Sequence, residues 1–337
     1  MKLRFILVGV AALIGATPAL SQEVGIENKA RAATYDVMKG KKVVYMPQTM
    51  TADLTIAWND VLQHEAKDLG FSLEVRDINY NTEQGARALA SAIDDKVDLI
   101  VLQNSDVQSY AKLIEKAKTA GVKIIQLNME SLRQSDAYIG ADWQGIGEAA
   151  GRAVVEKCAA GKGPSTKVAI VDGVPTAPVD EFQVYGFRKI LASHPEIQIV
   201  SQQAANYDAT KARAVTASVL QQHPDLCASF GIWDSMDAGS GAAVKEAGKT
   251  GQVFVVTSGG GNQTSCDKVQ EGIFSLLISY DTRIQGTSLA VQVAEELQSQ
   301  LPAGSQHLAF YTPNTLITKD NIRPDSCWTM KDLPYAQ

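Results

Sequence analysis

From Lys41 onward the chain alternates short, uninterrupted apolar runs with longer amphipathic stretches, and it goes through that cycle twice. In the first pass, Val43-Val44-Tyr45-Met46 and residues 71–75, 97–102 and 122–127 read as strands. Residues 54–69, 82–93 and 107–120 carry apolar side chains at helical spacing, and Gly70 and Gly121 stand where two of those helices would end. A helical stretch at 143–158 and a Gly/Pro/Ser-rich break at 161–165 lead into the second pass. Its strands are predicted at 168–171, 197–200, 228–232, 253–256 and 274–278, with helices at 179–192, 210–221, 236–247 and 266–270 between them. Strands that are apolar on both faces and separated by helices are satisfied by a parallel sheet with helices packed on either side. The chain is therefore expected to form an α/β fold of two similar doubly wound parallel-sheet lobes. The two passes do not align as a sequence repeat, so the repetition is one of architecture. A last amphipathic helix at 284–297, then Thr315-Leu316-Ile317-Thr318 and Asn321-Ile322, would return the chain to an earlier lobe, and several crossings between lobes would make a hinge.

The first residues bear on where such a fold works. Lys2 and Arg4 precede an apolar stretch at 5–16, a kink at Pro18 and the small residues Ala19 and Ser21. This is the layout of an export signal cut between Ser21 and Gln22. Its apolar core is shorter than the roughly 20 residues that span a bilayer. The chain of 337 residues, even after loss of that leader, is long for one hydrophobic core and suits two. Outside the cytoplasm there is no ATP, no reduced nicotinamide and no chromosome to work on. The net charge of −6 is spread along the chain without a basic block, so no nucleic-acid footprint is present.

Cys158, Cys227, Cys266 and Cys327 lie far apart with no Cys-x-x-Cys pair, and in an oxidising compartment an even count reads as two disulfides. His64, His194, His223 and His307 are scattered, which gives no metal-ligand spacing. No nucleophile turn or acid/base constellation stands out, so neither an enzyme nor a bound cofactor is expected. Gly259-Gly260-Gly261 follows a strand but lacks the Lys-Ser/Thr that completes a phosphate loop, and close approach of backbone to a ligand explains it equally well.

Several segments, in their order and spacing, carry a family likeness. They are His64-Glu65-Ala66-Lys67-Asp68-Leu69-Gly70, Ile125-Gln126-Leu127-Asn128, Ile139-Gly140-Ala141-Asp142, Tyr185-Gly186-Phe187, Ala205-Asn206-Tyr207-Asp208, Phe230-Gly231-Ile232-Trp233-Asp234 and Thr318-Lys319-Asp320-Asn321-Ile322. On these the chain resembles the type I periplasmic binding proteins, in particular the ribose-type sugar-binding branch of ABC importers. The resemblance implies a periplasmic, monomeric binding protein that closes two lobes about a hinge on its ligand and presents it to an inner-membrane ABC permease with its ATPase. The same fold can instead present a ligand to an inner-membrane receptor as a sensor. The implied lobes are 22–141 with 281–318, and 142–280 with 319–337, after a signal at 1–21.

In that fold the ligand lies between the lobes at the carboxyl ends of the strands. The implied site residues of the first lobe are Gln48, Thr49, Asn104 and Asn128. The second lobe would supply the loop 174–183 with Gln183, then Tyr207, Trp233, Asp234, Ser258 and Gly259, and Tyr280 lies at the crossing back. The chain departs from the ribose-type pattern at four of these. Asn128-Met129 stands in place of an Asp-Arg pair, Gln183 in place of Arg, Trp233 in place of Asn and Gly259 in place of Asp. What is left is amides, hydroxyls and aromatic rings, which suit a neutral polyhydroxylated molecule such as a sugar or sugar alcohol. Trp233 either stacks on the ligand or packs at the hinge. Tyr207 and Tyr280 either contact it or cap lobe edges, and Asp234 either accepts its hydroxyls or caps the next helix.

Disulfide pairing follows from topology. Cys158 ends a helix and Cys227 precedes a strand, which puts both at the end of the sheet away from the cleft. Cys266 starts a helix after a strand's carboxyl end, and Cys327 follows the last crossing, both on the hinge side. The expected bonds are Cys158–Cys227 and Cys266–Cys327.

Overall fold

A computed structural model describes residues 29–333, and the expected export signal and its cleavage point lie outside the described residues. The first lobe opens with α1 (Lys29–Met38), β1 (Lys42–Met46), α2 (Asp53–Leu69), β2 (Ser72–Val75) and α3 (Thr82–Asp94). It continues through β3 (Leu99–Leu102), α4 (Ala111–Ala120), β4 (Lys123–Leu127) and β5 (Ala137–Ala141). The second runs through α5 (Trp143–Cys158), β6 (Lys167–Asp172), α6 (Pro178–Leu191), β7 (Gln198–Ala204), α7 (Ala209–Gln222) and β8 (Ala228–Gly231). Next come α8 (Asp234–Glu246), β9 (Phe254–Gly259), α9 (Gln263–Gln270) and β10 (Leu276–Ser279). The chain ends with α10 (Thr282–Gln298), β11 (Leu308–Thr312) and β12 (Thr315–Ile317).

Two six-stranded sheets result, in the orders β2-β1-β3-β4-β5-β11 and β7-β6-β8-β9-β10-β12. Every pairing is parallel except β12, which runs antiparallel to β10. The inner strands are buried along most or all of their length because helices cover both faces, as their continuous apolar runs require. Separate apolar clusters lie on the two sides of the first sheet, one under α1, α2 and α10 and one under α3 and α4. Gly70 and Gly121 end α2 and α4 in the left-handed conformation that glycine adopts without strain.

Against expectation, residues 107–110 lie outside α4, whose first helical residue is Ala111. The sequence reading also passed over α1, β5 and β11. β11 is an edge strand with four of its five residues exposed, so its apolar pattern does not report a core. The implied first lobe extended to residue 318, but β12 joins the second sheet, which moves the last crossing to Pro313 and Asn314.

Three segments thus cross between the lobes, after β5, after β10 and after β11. Their polar groups are tied together. Thr312 Oγ1 lies 3.2 Å from the carbonyls of both Gly140 and Tyr280. Gln285 Nε2 donates to Asn128 Oδ1 (2.9 Å), which also accepts from the Ala141 amide (3.0 Å). In the second lobe α5 and α6 approach so closely that a Cβ on Gly147 would stand 2.0 Å from the Gln183 carbonyl oxygen. Val179, in the first turn of α6, faces the cleft.

Both expected disulfides are present, Cys158–Cys227 and Cys266–Cys327, with Cα separations of 5.8 and 6.1 Å. The second anchors the tail. Trp328, the next residue, is buried with its indole N–H on the Gly260 carbonyl (2.7 Å) and packs with Ala57 of α2, in the other lobe.

Candidate ligand-binding site

The strand order of each lobe places a topological switch point beside β1 and beside β6, where open α/β sheets form their ligand crevices. Loops leaving the carboxyl ends of both sheets meet there around a cavity with some 530 Å³ of unfilled space, its open mouth included. The first lobe lines it with Gln48 and Thr49 after β1, Tyr80 after β2, Gln103 after β3, and Asn128 and Met129 after β4, together with the start of α2. The second lobe adds Val179 on α6, Tyr207 after β7, Trp233 after β8 and Tyr280 after β10, and Trp143 begins α5.

The two walls differ. On the first lobe, amides and hydroxyls are held in place by one another. The Gln48 amide nitrogen donates to the Gln103 carbonyl (3.1 Å) and Ser105 Oγ (3.0 Å), while Gln103 Oε1 accepts from the Gln48 backbone N–H (2.9 Å). The Trp143 indole N–H donates to the Asn128 carbonyl (2.8 Å) and its ring meets Tyr280 edge-on at 5.1 Å. Asn128 itself has φ of 57°, a left-handed conformation that asparagine tolerates better than most residues. On the second lobe the wall is apolar and aromatic, with Tyr207 edge-on to Trp233 at 6.0 Å.

Among the described residues, no acid, lysine, arginine or histidine lines this cavity. Three carboxylates stand behind its second-lobe wall, and burial raises the pKa of each. Asp180 accepts from the Tyr207 hydroxyl (2.8 Å) and the Gly173 amide (2.6 Å), yet desolvation outweighs both and pushes it up to about 8. Asp234 and Asp237, on the first turn of α8, are likewise raised by desolvation against hydrogen bonds from Ser265 and Thr257 respectively. The native protein thus holds a proton on Asp180 that the unfolded chain, with an aspartate pKa near ~4, has released. The stability this contributes is complete below about pH 4 and is lost as pH rises through about 8. Asp180→Asn keeps an acceptor for Tyr207 and removes the titration. Its melting temperature is expected to gain steadily on the wild type between about pH 5 and 8 and to gain nothing further above. A constant gap across that range would show that Asp180 is ionised in the native state.

Of the residues implied from the sequence, Gln48, Thr49, Asn128, Tyr207, Trp233 and Tyr280 are brought together around the cavity. Asp234 lines a second, outer cavity with Thr51, Asp53, Ser235, Asn262 and Trp328, and its carboxylate accepts from the Ser235 amide and Ser265 hydroxyl. Asn104, Gln183, Ser258 and Gly259 line neither cavity. The Asn104 amide donates to Gln126 Oε1 and the Met129 carbonyl, which holds the loop after β4. Gln183 lies one turn beyond Val179, and its amide meets the Ile232 carbonyl and Ser258 Oγ behind the wall. At Gly259 a Cβ would stand 1.8 Å from Asp234 Oδ2, so glycine there makes room for that carboxylate rather than for a ligand.

The sequence reading did not place Tyr80, Gln103, Met129 or Trp143 at the site, whereas Val179 falls within the implied loop 174–183. Trp58 is buried in the first-lobe core. One signal for Tyr80 was legible: Asn79-Tyr80 and Asn206-Tyr207 are the same dipeptide, each just before a helix N-cap.

The family model described as "Periplasmic binding protein domain" matches residues 43–301. The ribose import binding protein RbsB of Bacillus subtilis is 25% identical over 237 residues, covering 70% of this chain and 74% of that protein. The D-apiose import binding protein of Actinobacillus succinogenes is 26% identical over 233 residues, covering 64% and 74%. Among solved structures, the Caulobacter myo-inositol binding protein bound to myo-inositol superposes with a TM-score of 0.72 at 21% identity, covering 85% of this chain and 94% of that one. The glucose-galactose binding protein GanP of Geobacillus stearothermophilus gives 0.71 at 22% identity, covering 84% and 99%.

Proposed function

We propose, from the premise that the chain belongs to the periplasmic binding protein domain family, that it captures a neutral sugar or sugar alcohol in the interlobe cavity and delivers it to an ABC import permease. The observation that carries the reading is the lining of that cavity, which combines amides, hydroxyls and five aromatic rings with no ionisable acid or base. Amides donate to and accept from hydroxyl groups, and aromatic faces pack against the C–H faces of a ring or polyol chain. A carboxylate or phosphate would find no counter-charge there and would lose its hydration uncompensated. The relatives named for ribose and apiose import support the same ligand class.

The mechanism is lobe closure. In the open form the first lobe's polar groups, ordered among themselves, receive the ligand, and closure brings the aromatic wall of the second lobe over it. The closed shape is what a permease distinguishes from the open one. The protein acts as a monomer in the periplasm, without cofactor or metal.

Isothermal titration calorimetry with D-ribose, D-allose, myo-inositol and erythritol, beside ribose 5-phosphate and gluconate, tests this directly. A neutral member is expected to bind, with an affinity that changes less than about twofold between low and high salt because no charge pair forms. A preference for the phosphate or the acid over its neutral parent would overturn the reading.

A further inference from the structure

The two lobes carry the same short device at equivalent places. β2 and β7 are the edge strands next to β1 and β6, and each is followed by an Asn-Tyr pair with both residues in the left-handed region. The φ values are 52° and 54° for Asn79 and Tyr80, and 54° and 60° for Asn206 and Tyr207. Asparagine adopts this conformation readily, but for a bulky tyrosine it is rare and persists only where the surroundings impose it. They do so on both lobes. The Tyr80 amide is tied to the Gln48 carbonyl (2.8 Å), and Asn81 then caps α3 through the Gln84 amide. The Asn206 amide is tied to the Gly173 carbonyl (3.0 Å), and Asp208 then caps α7 through the Thr210 and Lys211 amides. Gly173 is required there, because a Cβ would stand 2.0 Å from the Tyr207 ring.

The strained backbone aims the two rings at each other. They stack across the cleft with centroids 6.1 Å apart and planes inclined by 30°. The leaves are unequal: Tyr207 is anchored through its hydroxyl on Asp180, whereas Tyr80 is 49% exposed. Tyr80 also lines both the inner, apolar cavity and the outer, polar one, and it shares that position with Ala52, Leu54 and Trp233.

We propose that Tyr80 and Tyr207 form a cross-lobe aromatic gate, in which Tyr80 is the first lobe's retaining residue and separates the ligand cavity from the outer one. The gate closes only when the lobes close, because each leaf belongs to a different lobe. It also limits the ligand to what the inner cavity holds, since a longer molecule reaching into the outer cavity must displace the Tyr80 ring. The inference rests on the inner cavity being the ligand site, and it is tested on the closed protein, with the neutral sugar that binds in calorimetry: absence of any such sugar counts against the proposed function, whereas binding without the quenching change counts against the gate.

The test is acrylamide quenching of tryptophan fluorescence in the full chain, with each protein saturated by that sugar. Trp143 and Trp233 line the inner cavity, Trp58 is buried in the first-lobe core, and Trp328, on the wall of the outer cavity, is 1% exposed. Tyr80→Ala is expected to raise the quenching slope by about twofold, and Tyr80→Phe, which keeps the ring, to leave it at the wild-type value. Adding Trp233→Phe to Tyr80→Ala should shrink the increase, which locates it in the cavity. An unchanged slope in Tyr80→Ala, or an increase undiminished by Trp233→Phe, would overturn the gate.

Discussion

Replacing Trp233 with alanine is expected to weaken sugar binding at least about tenfold, ~1.4 kcal/mol, while leaving the fold intact. Trp233 occupies the N-cap position of α8 in an extended conformation, with its backbone amide held by Asp237 Oδ2 at 3.1 Å. Those backbone bonds survive the substitution. The side chain packs against the edge of the second-lobe core without being enclosed in it. It is half-buried, it packs edge-on to Tyr207, and it lines the inner cavity. Its loss therefore removes stacking surface and admits water to an apolar wall without opening a hole in the lobe. Calorimetry with the sugar that binds the wild type, beside a melting curve of each protein, separates the two effects. Wild-type affinity in the variant would make Trp233 a packing residue.

Removing the Cys158–Cys227 bond is expected to cost more, ~2–5 kcal/mol of stability. The bond links the end of α5 to the start of β8 across 69 residues, and both side chains are buried in the second-lobe core. In the chain-entropy picture the loss appears mainly as a larger unfolded ensemble, growing slowly with the length of the closed loop. Alanine at both positions avoids burying an unpaired hydroxyl. Urea unfolding of the double variant against the oxidised wild type measures the difference, and equal midpoints would refute it. Loss of Cys266–Cys327 should be read differently, since that bond anchors a tail that packs Trp328 against Ala57 of the other lobe.

The sequence resolved the two lobes because their evidence is local. Val43-Val44-Tyr45-Met46 and the run at 99–102 are apolar on both faces, and a strand of that kind must be covered from both sides wherever it ends up. Helical spacing and the glycines at 70 and 121 are equally local, and so is the order of chain segments that placed the cysteines at common ends of the sheet. Elements without such a signature escaped, as β11 did, whose exposed Phe310 and Tyr311 lie on a sheet edge.

The site divided along the same line. Strand-end residues such as Gln48, Asn128 and Trp233 could be placed near the cleft, because the carboxyl end of a parallel strand leads there regardless of detail. Which polar side chains would face a ligand could not be read the same way. Gln183 and Ser258 satisfy each other and the Ile232 carbonyl, and Asn104 is taken up by Gln126 and Met129, in contacts that span 22 to 75 positions of sequence. Tyr80 entered the site only because its left-handed backbone turns its ring toward Tyr207 on the opposite lobe. Periodicity is a property of neighbours along the chain and determines the lobes. The cavity's lining is decided by competition for hydrogen-bond partners between segments that meet only once a lobe has folded.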